Sequence, residues 1–251
     1  MKQKTYTAFG IGFTVCLPEE ALWGVLEQHL PPGAQESLIA PARNYIFEQK
    51  AGEYCLSVDG GMLCCHQLIG PVLEAFEGDL QIFVAEFAPA HIFVHAGVVG
   101  WQGQALVFPG RSFHGKSTLV TALLRAGAQY LSDEYAAFDL NGFVHPYPRR
   151  ISLRQENGGS LRVEAQILGA AIAREPLPVS RIFLCHFEPQ AVWRPQILSP
   201  GEALLALLDN TVAARSQTAI ALDVLGKVVA NATAHKSARG EADDCIAALL
   251  V

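Results

Sequence analysis

Gly110-Arg111-Ser112-Phe113-His114-Gly115-Lys116-Ser117 has the spacing G-x-x-x-x-G-K-[ST] of a phosphate-binding loop. Its flanks suit that chemistry. Gln104-Ala105-Leu106-Val107-Phe108 before it is a short apolar run fit for a buried strand. After it, Leu119, Val120, Leu123 and Leu124 recur at helical spacing with no breaker until Gly127. In such a strand-loop-helix the glycines let the backbone curl until several amide N–H groups face one anion, and the helix adds its positive end. Lys116 is expected to reach the β/γ-phosphates of a nucleotide, and the Ser117 hydroxyl to help hold Mg²⁺. Thr118 and the variable positions Arg111, Ser112, Phe113 and His114 complete the expected cofactor-binding set with Gly110 and Gly115. With 22 glycines in 251 residues, independent placement gives roughly a 0.3% chance of the pattern anywhere in the chain.

A phosphate loop needs a carboxylate at a neighbouring strand end, to hold Mg²⁺ or to take a proton from an attacking hydroxyl. Asp133 and Glu134 end Ala128-Gln129-Tyr130-Leu131-Ser132-Asp133-Glu134, which reads as a short strand after the loop helix. That is where a doubly wound sheet presents such groups. Adjacent acids on a strand alternate faces, so one is expected at the metal and the other at the acceptor. His95 lies in the apolar strand leading to the loop, where a lone histidine is most often a satisfied core residue. Arg149, Arg150, Arg154 and Arg239 are candidates to clamp a transferring phosphoryl group, the alternative for each being a surface arginine.

Composition sets the frame. Half the residues are hydrophobic and 17% are charged, which marks a globular chain. No apolar run approaches the ~18 residues of a membrane span. The start, Met1-Lys2-Gln3-Lys4-Thr5-Tyr6, shows no secretory segment, so a cytoplasmic location is expected. The net charge of −6 is uneven: residues 1–90 carry 11 acidic against 4 basic side chains, residues 91–251 carry 13 against 14. No basic face suggests nucleic acid. The six cysteines form no C-x-x-C pair and mostly sit in apolar runs, which favours buried free thiols over disulfides or zinc.

In chain order, 6–17 alternates as a strand pair or one bent strand. Pro18-Glu19-Glu20 opens an expected helix with Ala21, Leu22, Val25 and Leu26 inward, stopped at Pro31-Pro32-Gly33. Strands are expected at 44–49, 54–58 and 62–66, then a helix over 71–88 with Val72, Leu73, Phe76, Leu80, Phe83, Val84 and Phe87 inward. So 1–88 reads as a small α+β module and 89–251 as the nucleotide domain. Within the latter, Asn141-Gly142 predicts a hairpin with a type I′ turn, and Asn157-Gly158-Gly159 a flexible loop. A buried strand is expected at 181–187, a capping box with Pro at the first helical position at Ser199-Pro200-Gly201-Glu202, a helix at 221–229, then a closing strand and helix.

Val94-His95-Ala96-Gly97-Val98-Val99, the loop at 110–117 and Leu131-Ser132-Asp133-Glu134 together resemble the catalytic domain of HPr kinase/phosphorylase. They resemble more closely the shorter related kinases of bacterial biosynthetic clusters. The likeness spans roughly residues 90–155, with a weaker echo in the Ser199 helix and in Arg239-Gly240-Glu241-Ala242. It implies an α/β fold like that of phosphoenolpyruvate carboxykinase, with a phosphate loop in a mixed sheet flanked by helices. It also implies ATP, Mg²⁺ and phosphoryl transfer to a serine hydroxyl. By the same resemblance His95 joins the active site, Asp133 is the candidate base, and Glu134 with Ser117 holds the metal; the two acidic roles are interchangeable. Arg154-Gln155-Glu156-Asn157 stands where the family has a Gly-rich signature, and Arg111, Phe113 and His114 replace smaller or acidic loop residues. These departures point away from HPr itself and from reverse phosphorolysis. Members with a similar N-terminal module accompany peptide-modifying clusters, lasso-peptide ones included, which implies a precursor-peptide serine as acceptor. The expected protein is therefore an ATP/Mg²⁺ serine kinase acting on a peptide or small protein, the N-terminal module helping to bind that partner. A catalytically silent nucleotide-binding regulator and a small-molecule kinase are the rivals, and a homo-oligomer stays open.

Overall fold

The computed structural model describes residues 2–110, 115–154 and 159–251. The protein is mixed α/β, with six α-helices among the described residues and sheets of mixed direction. It forms two compact units, Met1–Ala90 and His91–Val251. Among the described residues no helix is long and apolar enough to cross a membrane.

The first unit is a six-stranded sheet with a long helix, built from β1 (Lys2–Ala8), β2 (Ile11–Leu17), α1 (Trp23–Leu26), β3 (Gln35–Glu36), β4 (Arg43–Lys50), β5 (Glu53–Val58), β6 (Gly61–His66) and α2 (Ile69–Phe87). The strand order is β3-β1-β2-β4-β5-β6, antiparallel except for the parallel pair β2 and β4. Its hairpins turn on Phe9-Gly10, Ala51-Gly52 and Asp59-Gly60, where both residues have positive φ, the twist that suits two-residue turns. The core is aromatic: Phe76 of α2 meets Tyr45 and Phe47 of β4 edge-on, at 4.9 and 5.4 Å between centroids.

Three expectations for this unit are corrected. The first helix is one α turn between two 3-10 segments: no side chain caps it, Gly24 within it is a poor helix former, and Val25 faces solvent while Trp23 and Leu26 are buried. Phe87, at the last position of α2, is half-exposed and packs its ring on Phe83 from outside at 5.2 Å. Cys55 and Cys65 are not free thiols but a disulfide between directly opposed positions of β5 and β6, with Cα atoms 4.1 Å apart.

The second unit contains β7 (His91–Trp101), β8 (Gln104–Pro109), α3 (Lys116–Arg125), β9 (Gln129–Ser132), β10 (Tyr135–Asp139), β11 (Val144–His145), β12 (Ile151–Arg154) and β13 (Ser160–Val163). It continues with β14 (Val179–Phe187), β15 (Gln196–Ile197), α4 (Pro200–Leu208), α5 (Thr218–Asn231), β16 (Thr233–Arg239) and α6 (Ala242–Leu249). The main sheet runs β11-β10-β7-β8-β14-β16-β15, with β9 also paired to β7. Strands β8, β14 and β16 are parallel neighbours, and β7 is antiparallel to β8, β9 and β10. Side-chain alternation splits the core. Val94, Ala96, Val98 and Val107 pack with Val224 and Leu225 of α5; Val99, Leu106 and Phe108 pack with Leu119 and Leu123 of α3 and Leu249 of α6. Ser199 and Glu202 form the expected capping box at the start of α4.

The Asn141-Gly142 turn is also corrected. Only Gly142 has positive φ, so the turn is not type I′. The Asp139 carboxylate accepts from the backbone N–H groups of Asn141 and Phe143, at 2.8 and 3.0 Å, and that bonding selects a longer loop. Of the expected 157–159 loop, Asn157 and Gly158 lie outside the described residues.

Candidate active site

Register along β7 assembles the site. Pro109, the last residue of β8, lies opposite Ala96, and Ser132, the last of β9, lies opposite Val98. Because β7 runs against both, β8 and β9 end on the same edge of the sheet, one on each side of it. The backbone seals this arrangement. Gly110 N–H donates to His95 O at 3.0 Å, and Ala96 N–H donates to Glu134 O at 3.1 Å. The first glycine of the loop and the acid pair thus hang from adjacent residues of one strand. The acid pair is not on a strand, as expected, but in the bend where the chain leaves β9 and resumes pairing with β7 as β10.

On the other side of the loop, Gly115 in the left-handed region (φ 76) is the N-cap of α3, and Lys116, Ser117 and Thr118 make its first turn. Thr118 is exposed; Lys116 and Ser117 are half-buried. Ser117 Oγ donates to Asp133 Oδ2 at 3.2 Å. Asp133 is buried, and Tyr130 O–H reaches its Oδ1 at 3.0 Å and the Arg149 carbonyl at 2.9 Å. Burial raises the Asp133 carboxyl above the ordinary range, against the lowering pull of the Tyr130 and Ser117 hydrogen bonds. Glu134 is raised by burial and by Asp133, with Lys116 opposing; its Oε1 lies 3.8 Å from His95 Nδ1. Lys116 is lowered by burial, with Glu134 and Asp133 opposing. The His95 ring rests on Tyr135 at 4.7 Å.

Arg239 is 2% exposed, yet among the described residues no carboxylate pairs with it. Its guanidinium donates to Gly115 O and to Gly240 O, both at 2.9 Å, and stands over the Phe187 ring at 5.7 Å. A buried cation whose polar partners, among the described residues, are carbonyls is suited to an anion. Arg149 and Arg150 follow β11, half-buried; burial, then Arg162 and Arg150, lower Arg149 to about 10. Arg154 ends β12, its side chain outside the described set, and Arg111, Ser112, Phe113 and His114 likewise lie outside it. Among the described residues there is no group of three or more His, Cys, Asp and Glu side chains that could hold a metal ion.

Three participants were not foreseen. Tyr130 was read only as a strand residue, although its hydroxyl holds Asp133. Arg162 reaches the Arg149 neighbourhood because β13 pairs with β12, which places it opposite Ser152. Gly97 sits where a Cβ would stand 2.7 Å from Val120 Cγ2 and 3.9 Å from Lys116 Cβ, so its missing side chain lets α3 lie on β7. Only Gly97 left a signal, as a glycine in the middle of a largely apolar strand. Neither protein-family models nor curated proteins give a match to this chain.

Proposed function

We propose that the chain is an ATP- and Mg²⁺-dependent kinase of the HPr kinase/phosphorylase-like type, transferring a phosphoryl group to a serine hydroxyl of a peptide or small protein. The observation that carries this reading is the 3.2 Å contact from Ser117 Oγ, at the start of the loop helix, to Asp133 Oδ2. Mg²⁺ is characteristically bound by one or two carboxylates together with substrate phosphates, not by an all-protein cage. A hydroxyl facing one buried carboxylate fits that habit. Ser117 and Asp133 would hold the ion, which would supply positive charge to offset that of the phosphates.

Of the two assignments open from sequence, this contact favours Asp133 at the metal. That leaves Glu134, paired with His95, to face the acceptor and take its hydroxyl proton. Lys116 and Arg239 lie on the loop side, suited to the charge of the phosphate tail.

The test incubates the protein with labelled ATP and a panel of serine-containing peptides, reading products by mass spectrometry. Glu134→Gln should lower the transfer rate by roughly 10²–10⁴-fold while MgATP still binds. Asp133→Asn should raise the Mg²⁺ concentration needed for both binding and transfer. A regulator would bind nucleotide and transfer nothing in any variant, and phosphorylation of a free amino acid or sugar without peptide would favour a small-molecule kinase.

A further inference from the structure

A cavity of about 640 Å³ opens in the second unit between the 189–193 segment, which follows β14, and the start of α6, which follows β16. We propose that it receives the nucleoside half of the phosphoryl donor, a purine base with its ribose, an inference that rests on reading the loop as the phosphate site. Position argues first. Strands β8, β14 and β16 are consecutive parallel neighbours, so the loop after β8 and the cavity after β14 and β16 share the carboxyl edge of the sheet. Ligands of α/β sheets bind along that edge. A single guanidinium measures the gap: Arg239 donates to Gly115 O on the loop side and to Gly240 O on the cavity wall.

Charge and shape argue next. Glu241 and Asp244 line the cavity, and among the described residues no lysine or arginine does. A phosphate would be repelled there, whereas the N–H donors of a purine or the hydroxyls of a ribose find acceptors. Trp193, edge-on to Phe183 at 6.0 Å, gives the lining an aromatic surface on which a base can stack. The volume falls in the roughly 300–1,000 Å³ range of small-molecule sites. The acid pair lies across β8, on the β7 side, so donor nucleoside and acceptor serine would approach the loop from opposite flanks. That separation disfavours the other occupant an acidic cavity invites, a basic segment of the acceptor.

Calorimetry on the full chain with MgATP, MgGTP and magnesium tripolyphosphate separates the possibilities. The wild type should bind one nucleoside triphosphate about tenfold or more tightly than tripolyphosphate, and the preferred nucleotide names the base. Trp193→Ala, and Ala248→Trp at an exposed lining position, should each erase about tenfold of nucleotide affinity and leave tripolyphosphate binding within about twofold. Unchanged nucleotide affinity in Ala248→Trp, equal loss of all three ligands, or no wild-type preference for a nucleoside overturns the inference while the phosphate site stands. Weakened acceptor-peptide binding with nucleotide affinity intact does the same and assigns the cavity to the acceptor. A wild type that binds none of the three removes the phosphate reading itself.

Discussion

His91 opens β7 with its ring edge-on to His145 at 4.8 Å, and His145 Nε2 lies 3.2 Å from Asp139 Oδ2. Burial, then repulsion from His145, lowers its pKa to about 4, with Asp139 opposing. The folded protein therefore holds His91 neutral where the unfolded chain, near pH 6.5, already takes a proton. Between those two values the unfolded state binds more protons, so stability falls as pH drops from about 6.5 to about 4. The loss should be of order 1–3 kcal/mol. Asp139 titrates in a lower window: the His145 and backbone hydrogen bonds outweigh burial and hold it below its ordinary value. Urea melts across this range should show the decline in the wild type and a flatter profile in His91→Phe, which keeps an aromatic ring but cannot be protonated. A decline of equal depth in the variant would assign the acid sensitivity elsewhere. Such effects are not legible from sequence, because His91 and His145 meet only through the pairing of β10 with both β7 and β11.

Helix α3 and strand β7 meet where Gly97 has no side chain. Gly97→Ala places a methyl 2.7 Å from Val120 Cγ2, so the helix must shift and Lys116 with it. Overpacking of this kind costs about 1–3 kcal/mol. MgATP affinity should fall beyond what stability explains, because Lys116 sits in the first turn of the displaced helix. Adding Val120→Ala makes room for the methyl and should recover the affinity; failure to recover it would place the effect outside this contact. The apolar run leading to the loop and the helical pattern of 119–124 were enough to find these two elements and the loop between them. Register was not available from either pattern. A bulge between Leu56 and Ser57 shifts the β5–β6 pairing by one residue, so Cys55 opposes Cys65, where an unshifted ladder from Val58–Gly61 would oppose it to Cys64. A one-residue slip reverses which face a side chain takes, and no local sequence signal announces it. The acid pair was found for its chemistry, yet its place in a bend opposite Ala96 follows from two strands sharing one side of β7.

At the scale of the molecule, the two units differ in charge and each has its own core. Residues 1–90 hold 11 acidic against 4 basic side chains, while residues 91–251 are close to balanced with 13 against 14. Phe13, Tyr45, Phe47 and Phe76 close the first core, and the loop, the acid pair and Arg239 all belong to the second unit. A chain of residues 91–251 should therefore fold and bind MgATP with about the affinity of the whole protein. Its acceptor handling should differ if the acidic unit recruits the substrate. Attraction between an acidic surface and a basic peptide is screened over about 8–10 Å at physiological salt, so it appears as a KM that climbs with ionic strength. The full chain should show that climb for a basic serine peptide; the 91–251 chain should show a higher KM at low salt, nearly independent of salt, with kcat little changed. Equal KM values and equal salt slopes for the two chains would remove the first unit from substrate capture and leave recognition to residues around Glu134 and Arg149.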